Sequence, residues 1–159
     1  MAIRKIITEG EDILRKHCRP VGEVTPHIKL TLEDMVETMR AAGGVGLAAP
    51  QIGVMRRMFV AEPEPGKVYY MVDPEITNKE GCIAAEEGCL SVPGLVGTVE
   101  RPEIINIKAI GLDGEQQTFE LHEFEARVMC HECDHLDGIL YTDKAENVHA
   151  PGQDSEDTE

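Results

Sequence analysis

The chain has 159 residues, of which 42% are hydrophobic, so it is large enough for one domain with its own core. Its formal net charge is −15, from 30 acidic and 15 basic residues, which argues against the clustered lysines and arginines that nucleic-acid phosphates require. The start of the sequence shows no long apolar run and no small-residue cleavage site. We therefore expect no signal peptide, no membrane span and no direct binding of nucleic acid.

The cysteines and the last residues set two further expectations. Five cysteines are an odd number in a chain that is large enough to fold without disulfides, which predicts a reducing, cytoplasmic location with free or metal-bound thiols. Residues 151–159 contain four acids, no base and no large apolar side chain. That composition predicts a folded domain over residues 1–148 and an acidic, disordered tail over 149–159.

Two helices are predicted in the first third of the chain. Residues 11–17 have the pattern of a short helix that ends before a proline. A longer helix is expected over 25–42, with Thr25 as N-cap and Pro26 at the first helical position, because apolar side chains recur along it at helical spacing. The segment 44–51 that follows is too rich in glycine, and too clearly interrupted by a proline, to continue as a helix.

The middle of the chain is predicted to be β-structure, followed by a second long helix. Six short runs are separated by proline or glycine, at 57–61, 68–72, 83–87, 96–100, 104–110 and 117–121. Short turns such as Asp113-Gly114 join them, so the strands should be antiparallel. The second helix is expected from residue 123 to about 137, ending at Gly138. The fold class is therefore α+β, with antiparallel β-sheets packed around a long C-terminal helix and an N-terminal helix.

The second predicted helix carries His131-Glu132-Cys133-Asp134-His135, an HExxH motif. Residues four apart lie on one helix face, so the two imidazoles can bind the same divalent metal. Glu132 projects roughly 100° away from His131 around the helix, which makes it a poor third ligand. It can instead reach a water held by the metal, and the pattern therefore indicates a metal-dependent hydrolase.

The third ligand separates the possible classes of hydrolase. Zincin proteases take it from downstream, but here the HExxHxxGxxH pattern fails because position 141 is tyrosine. Upstream, Cys89 lies in a tight turn after an apolar strand, where a thiolate could meet two helix imidazoles. A Cys-His-His set with one water makes a four-coordinate site with an open position. For a lone cysteine the commoner role is that of a buried apolar thiol.

With its three motifs in order, the sequence resembles the peptide deformylase family. The motifs GxGLAAxQ, EGCLS and HExDH stand at residues 44–51, 87–91 and 131–135, and the resemblance extends over about residues 2–145. It implies removal of the formyl group from the N-terminal formyl-methionine of new polypeptides, with release of formate. It also implies one divalent metal per chain on Cys89, His131 and His135. The family typically uses Fe²⁺, although Zn²⁺, Ni²⁺ or Co²⁺ also suit these donors.

The resemblance assigns chemical roles to three further residues. A bound divalent metal lowers the pKa of its water from ~16 towards ~7, and the resulting hydroxide attacks the formyl carbon. Glu132 would accept the proton of that water and pass it to the departing amine, as general base and then general acid. The side-chain NH₂ of Gln51 and the backbone N–H of Leu90 are the expected donors to the negative charge that develops on the formyl oxygen.

Substrate-binding residues are also carried over by the resemblance. The substrate is expected to lie as an added strand beside Gly44, Val45 and Gly46, where the glycines allow close approach of the backbone. The expected walls of a pocket for the methionine side chain are Val45, the stem of Glu87, Val128 and the ring edge of His131. The expected partners are N-formylmethionyl peptides, as nascent chains at the ribosome, and the protein is expected to be a monomer.

Two residue-level hypotheses and two rival functions stay open at this point. Arg101 could pair with Glu87 and brace the ligand loop. Cys130 and Cys133 form a CxxC pair that could bind zinc or act in redox chemistry, but both lie in the predicted helix, away from the histidines, which favours core packing or surface placement. The rival functions are a zincin-like endopeptidase and a non-catalytic metal- or redox-sensing protein that uses the CxxC pair.

Overall fold

The computed structural model describes residues 2–151 and shows the α+β class that the sequence predicts. The two helices are α1 (Pro26–Ala41) and α2 (Glu123–Leu136). The strands are β1 (Gly46–Ala48), β2 (Met58–Glu64), β3 (Lys67–Glu80), β4 (Ile83–Cys89), β5 (Val92–Arg101), β6 (Ile104–Ile110), β7 (Gln116–His122) and β8 (Glu146–His149). Short 3₁₀ helices occupy Asp12–Arg15, Ala49–Ile52 and Tyr141–Asp143. No helix in the described range is long and apolar enough to cross a membrane.

The strands form two antiparallel sheets, as the short connections predict. One sheet has five strands in the order β1-β2-β3-β6-β7, and the other has three in the order β4-β5-β8. β3 runs for 14 residues, far beyond the predicted 68–72, because it continues after a bulge and pairs with β6 up to Glu80 opposite Ile104. Its second half is polar and mostly exposed, so hydrophobic alternation could not reveal it.

Other elements also differ from the sequence prediction. The expected helix over 11–17 is only the 3₁₀ turn Asp12–Arg15. β1 and β8 were not predicted, since strands of three and four residues carry no periodic signal. In β8, His149 pairs with Val96 of β5, so the last strand extends one residue past the expected domain boundary at 148. Of the predicted tail, residues 152–159 lie outside the described range.

Helix α1 forms where its capping signals predict, and it positions the first motif. The Thr25 hydroxyl accepts the Ile28 N–H at 3.2 Å, and Pro26 opens the helix. Buried side chains such as Leu32, Met35 and Met39 pack against β1 and β2. Two glycines follow the end of the helix, and the chain then enters β1. Because α1 packs against β1, the helix holds this strand in place.

Helix α2 packs on the five-stranded sheet and carries the second and third predicted ligands into the interior. Ala126, Met129 and Leu136 are buried against β-strand side chains that include Phe59 and Met71. The HExxH motif occupies the last two turns of the same helix, and by helix phase its two histidines lie on a different face from these apolar residues. The histidines are nevertheless buried. The three-stranded sheet covers the motif from the other side.

The segment before α1 links the two sheets at the first and second motifs. The Ile7 N–H donates to the Gln51 carbonyl at 2.7 Å, and the Glu9 N–H donates to the Ser91 carbonyl at 2.7 Å. Farther towards the start, the Arg4 N–H donates to the Thr38 hydroxyl of α1 at 2.8 Å. We refer to residues 2–9 as the N-terminal strap.

Gly138 ends α2 at a position where a side chain has no room. Its φ is 76°, and an added Cβ would overlap the Arg15 carbonyl and lie 3.0 Å from the Lys16 nitrogen. Gly114 has a similar φ of 84° but has no atom within 4 Å of an added Cβ. Both alanine variants should therefore suffer the backbone strain of about 1 kcal/mol, whereas only Gly138→Ala should also suffer overpacking.

We expect Gly138→Ala to lower the free energy of unfolding by about 1–3 kcal/mol more than Gly114→Ala. Urea denaturation of the two variants beside the unmodified protein measures this difference. Equal losses in the two variants would show that the Arg15 backbone moves aside at little cost.

Candidate metal centre

Three potential metal ligands converge between α2 and the end of β4. Cys89, His131 and His135 each offer one donor atom, and these three atoms lie within 4.8 Å of one another. The Cys89 Sγ is 3.4 Å from the His135 Nε2, and the two imidazole centroids are 5.0 Å apart. The structure thus brings together the thiol and the two rings that the motifs single out, although Cys89 and His131 are 42 positions apart in the sequence.

The neighbours of His131 fix the orientation of its ring. Its Nδ1 lies 2.9 Å from the Glu87 Oε1, and this hydrogen bond leaves the Nε2 for the centre. The buried ring of Tyr141 stacks on the other side, with centroids 6.0 Å apart and an interplanar angle of 25°. The Nδ1 of His135 is buried and has no hydrogen-bond partner among the described residues.

The residues present fit a divalent transition metal. A thiolate sulfur and two imidazole nitrogens are a donor set that such ions prefer over calcium or magnesium. The Glu132 Oε1 beside them is buried and has no hydrogen-bond partner in the described part of the chain. A buried carboxylate oxygen needs a partner, and a water at the open position of the metal would provide one.

The electrostatics at this point favour a positive charge. Burial alone would lower the pKa of His131, but its hydrogen bonds with Cys89 and Glu87 outweigh burial and raise that pKa to about 10. Burial, and then the charge of His131, lower the pKa of His135 well below its usual value. The surroundings therefore stabilise one positive charge between the thiol and the rings, which a bound cation would supply instead of a proton.

Glu132 sits directly against β1. The residue is 4% exposed, and an added Cβ at Gly46 would overlap its carboxylate, so the glycine of the first motif makes room for the glutamate of the third. Burial raises the pKa of Glu132 to about 7, and the nearby charge of His131 opposes that rise. A carboxylate with such a pKa can both accept and release a proton near neutral pH.

Gln51 and Leu90 border the three donors. The Gln51 Oε1 accepts the Ala48 N–H at 2.9 Å, and its Nε2 donates to the Ser91 hydroxyl at 2.9 Å and lies 3.6 Å from the Cys89 Sγ. Leu90 follows Cys89 in the turn between β4 and β5, and its Cδ1 would be 2.6 Å from a Cβ added at Gly44. Both residues thus lie at the edge of the cavity, beside Cys89.

A cavity of about 450 Å³ opens beside the donors, and every expected substrate-binding residue lines it. These residues are Gly44, Val45, Gly46, Glu87 and Val128. The sequence interpretation missed Phe124 and Arg127, which also line the cavity. Helix phase places them on the same face of α2 as Val128 and His131, which is the one signal in the sequence that points to them.

A buried network of charges surrounds Glu87. Arg101 donates to both oxygens of this carboxylate, from Nε at 2.9 Å and from Nη2 at 3.0 Å, which confirms the hypothesis of their pairing. The Arg101 Nη1 also donates to Asp134 at 2.6 Å. Burial would raise the pKa of Glu87, but the hydrogen bonds from His131 and Arg101 lower it to about 2. Glu87 is therefore held as an anion.

Arg127 is the third partner of Glu87, after Arg101 and His131, and it joins α2 to the three-stranded sheet. Its Nη1 donates to Glu87 at 2.6 Å and to the Val99 carbonyl at 2.9 Å, and its Nη2 donates to the Ile83 carbonyl at 2.6 Å. The helix with the two histidines and the sheet with the cysteine are thus fastened by polar contacts as well as by packing.

The CxxC cysteines take no part in the centre. Cys130 is buried in the apolar core, and Cys133 packs against the same core. Burial raises the pKa of both thiols, so both are neutral at physiological pH. Of the two placements that the sequence interpretation favoured over ligation, core packing and surface placement, the structure shows core packing.

Comparisons with known proteins extend over nearly the whole chain. The family model described as Polypeptide deformylase matches residues 3–150. A peptide deformylase of Symbiobacterium thermophilum is 45% identical over 161 aligned residues, which cover 100% of this chain and 74% of the relative. One from Agathobacter rectalis is 47% identical over 148 residues, or 93% of each protein.

Solved structures of peptide deformylases share the fold. The crystal structure from Thermotoga maritima superposes with a TM-score of 0.89 at 38% identity, covering 92% of this chain and 99% of that one. The structure from Synechococcus elongatus, solved in complex with actinonin, gives a TM-score of 0.86 at 33% identity, covering 89% of this chain and 78% of the other.

Proposed function

The chain belongs to the peptide deformylase family, and on that premise we propose that it hydrolyses the formyl group from the N-terminal formyl-methionine of new polypeptides and releases formate. The observation that carries this proposal is the convergence of donor atoms of Cys89, His131 and His135 within 4.8 Å. Beside them lies the Oε1 of Glu132, which has no hydrogen-bond partner among the described residues. A third ligand from upstream of the helix, in a loop beside an open cavity, distinguishes this arrangement from that of a zincin-like endopeptidase.

The family is metal-dependent, and we assign the ligand positions to Cys89, His131 and His135. When bound, a divalent cation there would acidify a water and polarise the formyl oxygen. We further propose Fe²⁺ as the native ion, because the family typically uses it; the donor set by itself suits Zn²⁺, Ni²⁺ or Co²⁺ equally well. Elemental analysis of protein purified without oxygen identifies the ion, and an iron content near zero would exclude Fe²⁺.

Glu132 is the group that moves protons in the proposed mechanism. Its carboxylate takes a proton from the attacking water at the open side of the centre and then delivers it to the methionine nitrogen as the C–N bond breaks. The pKa of about 7 in its buried environment suits both steps. The carboxylate packs closely against Gly46, where an added Cβ would overlap it.

Gln51 and Leu90 are proposed to stabilise the negative charge on the formyl oxygen. The Gln51 Nε2 lies 3.6 Å from the Cys89 Sγ, at the edge of the cavity, and the Leu90 backbone N–H belongs to the turn that follows the cysteine. Donors that are already in place before the reaction cost no reorganisation, and one such donor is typically worth about 3–4 kcal/mol of transition-state stabilisation.

The substrate backbone is proposed to lie along residues 44–46 as an added strand. Gly44, Val45 and Gly46 line the cavity, which provides a site for the methionine side chain. Val128 and the stem of Glu87 give that cavity apolar surface. Val45 and Phe124, which also line it, are 42% and 52% exposed.

We also propose that the protein acts as a cytoplasmic monomer on nascent chains at the ribosome. Its free thiols, some of them buried, suit a reducing compartment. Light scattering during size-exclusion chromatography tests the oligomeric state, and a mass of two chains would refute the monomer.

Incubation with formyl-Met-Ala and with a longer unformylated peptide tests the proposed function. We expect release of formate from the first and no cleavage of any internal peptide bond in the second. Formate is measured by an enzyme-coupled assay and the peptides by mass spectrometry. Internal cleavage without formate release would instead support the endopeptidase.

A further inference from the structure

Ser91 is completely buried at the point where the N-terminal strap meets the loop that carries Cys89. Its hydroxyl donates to the Ile7 carbonyl at 2.6 Å and accepts the Gln51 Nε2 at 2.9 Å. Its own backbone N–H is 3.4 Å from the Cys89 Sγ. This one residue thus contacts the strap, the proposed oxyanion donor and a proposed metal ligand.

The direction of each hydrogen bond around Ser91 is fixed. A carbonyl oxygen can only accept, so the Ser91 hydrogen must point to Ile7. The hydroxyl oxygen is then free to accept one hydrogen of the Gln51 NH₂. The Gln51 Oε1 meanwhile accepts the Ala48 N–H, so rotating the amide by 180° would place donor against donor at Ala48. The amide is therefore held in one orientation.

With one hydrogen of its NH₂ held by Ser91, Gln51 has one hydrogen left. That hydrogen is directed to the Cys89 Sγ, which is 3.6 Å from the Nε2. Sulfur is a weak acceptor, so this contact can be replaced by one to a better acceptor. A developing oxyanion at the open side of the centre would be such an acceptor. Ile7 is itself held in place, because its backbone N–H donates to the Gln51 carbonyl. Its carbonyl oxygen therefore fixes the far end of this chain of hydrogen bonds.

We propose that Ser91, fixed by the Ile7 carbonyl of the N-terminal strap, is a positioning residue that aims the free N–H of Gln51 at the formyl oxygen in the transition state. The inference rests on the proposed function, because it acts through the oxyanion role of Gln51. It assigns to the strap a part in catalysis, although the strap itself does not line the cavity.

The first test observes Gln51 directly and needs no turnover. The chain has four glutamines, at positions 51, 116, 117 and 153, so ¹⁵N-glutamine labelling gives four pairs of side-chain amide signals. The pair that is absent from Gln51→Ala identifies Gln51. In metal-free and in zinc-loaded protein, we expect Ser91→Ala to speed hydrogen exchange of this pair by about fivefold or more, as loss of one net hydrogen bond predicts.

The second test measures kinetics in a double-mutant cycle. Ser91→Ala should lower kcat by about tenfold with KM within about twofold of its original value, since the oxyanion donor stays present but loses its aim. In a Gln51→Ala background the same substitution should change kcat by less than about twofold, because there is no longer an amide to position. Ser91→Thr, which keeps the hydroxyl, should retain slow exchange and most of kcat.

Thr38→Ala is the matched control. Thr38 is also buried, and its hydroxyl also binds the strap, by accepting the Arg4 N–H at 2.8 Å. Within the described part of the chain, no hydrogen bond joins it to the Gln51 side chain. We expect this variant to lose stability and to leave both kcat and the Gln51 signals unchanged.

Several outcomes would overturn the proposal. Unchanged Gln51 exchange in Ser91→Ala would do so, as would a tenfold loss of kcat that persists in the Gln51→Ala background, since both would indicate a merely structural role. Ser91→Thr behaving like Ser91→Ala would count against the hydroxyl. If Ser91→Ala frees the amide but Gln51→Ala deformylates normally, the positioning stands and the oxyanion role of Gln51 fails instead.

Discussion

Glu132→Gln is expected to lower kcat by about 10³-fold while the protein keeps its metal. Glutamine has nearly the same shape as glutamate and still fits against Gly46, but it cannot accept a proton from water near neutral pH. General acid–base groups contribute about 10²–10⁴-fold, and here one carboxylate is assigned both steps. Formate release under saturating formyl-Met-Ala measures kcat, and elemental analysis measures the metal.

Glu123→Gln provides a control on the same helix. Glu123 is the first residue of α2, and its side chain is exposed, so its loss should leave kcat unchanged. Normal deformylation by Glu132→Gln would refute the proton-transfer role. Loss of metal together with activity would show instead that Glu132 stabilises the bound ion.

Arg101→Met is expected to be among the most destabilising single substitutions in the chain. Arg101 and Glu87 have side chains only 3% and 4% exposed, and the substitution leaves the Glu87 carboxylate buried with one cation fewer. Breaking a buried pair in this way typically costs about 3–5 kcal/mol. For a protein of this size we expect Tm to fall by about 10 °C.

Arg40→Met is a matched control, because Arg40 binds Glu62 with the same two-bond geometry at 2.8 and 2.9 Å. The Arg40 side chain is 55% exposed, so water replaces the lost contact, and we expect Tm to change little. Calorimetry on both variants measures the difference. A fall in Tm for Arg101→Met no larger than for Arg40→Met would show that Arg127 and His131 suffice to hold Glu87.

The helices α1 and α2, and the shared face of the two motif histidines, could be predicted because their signals are local. The Thr25-Pro26 cap and the apolar repeat that follows it are readable within a few turns of chain. The spacing of His131 and His135 places both rings on one face of α2 whatever the helix packs against. The motif containing Cys89 added the third donor only through the resemblance of the whole pattern, since a lone cysteine would have been assigned to the core.

The contacts that shape the cavity and its supports could not be predicted in the same way. Phe124 and Arg127 are on the same helix face as the motif, yet nothing local shows that this face borders an open cavity. The bonds of Ser91 to Ile7 and Gln51 join residues 84 and 40 positions apart. Hydrogen bonds of this kind leave no periodic pattern, because each depends on where two distant segments are brought by the sheets between them.

The sequence alone predicted the α+β class, the two candidate histidine ligands and the residue assigned to proton transfer, whereas Cys89 was added only through the resemblance of the whole pattern. The local predictions depend on capping, on periodicity and on the chemistry of short motifs, all of which act within neighbouring residues. Tertiary structure alone decided how the short strands β1 and β8 pair, how Glu87 is clamped and which groups the Gln51 amide contacts. Those outcomes depend on burial, which removes competing water and makes a hydrogen bond or ion pair between distant residues strong enough to fix one geometry.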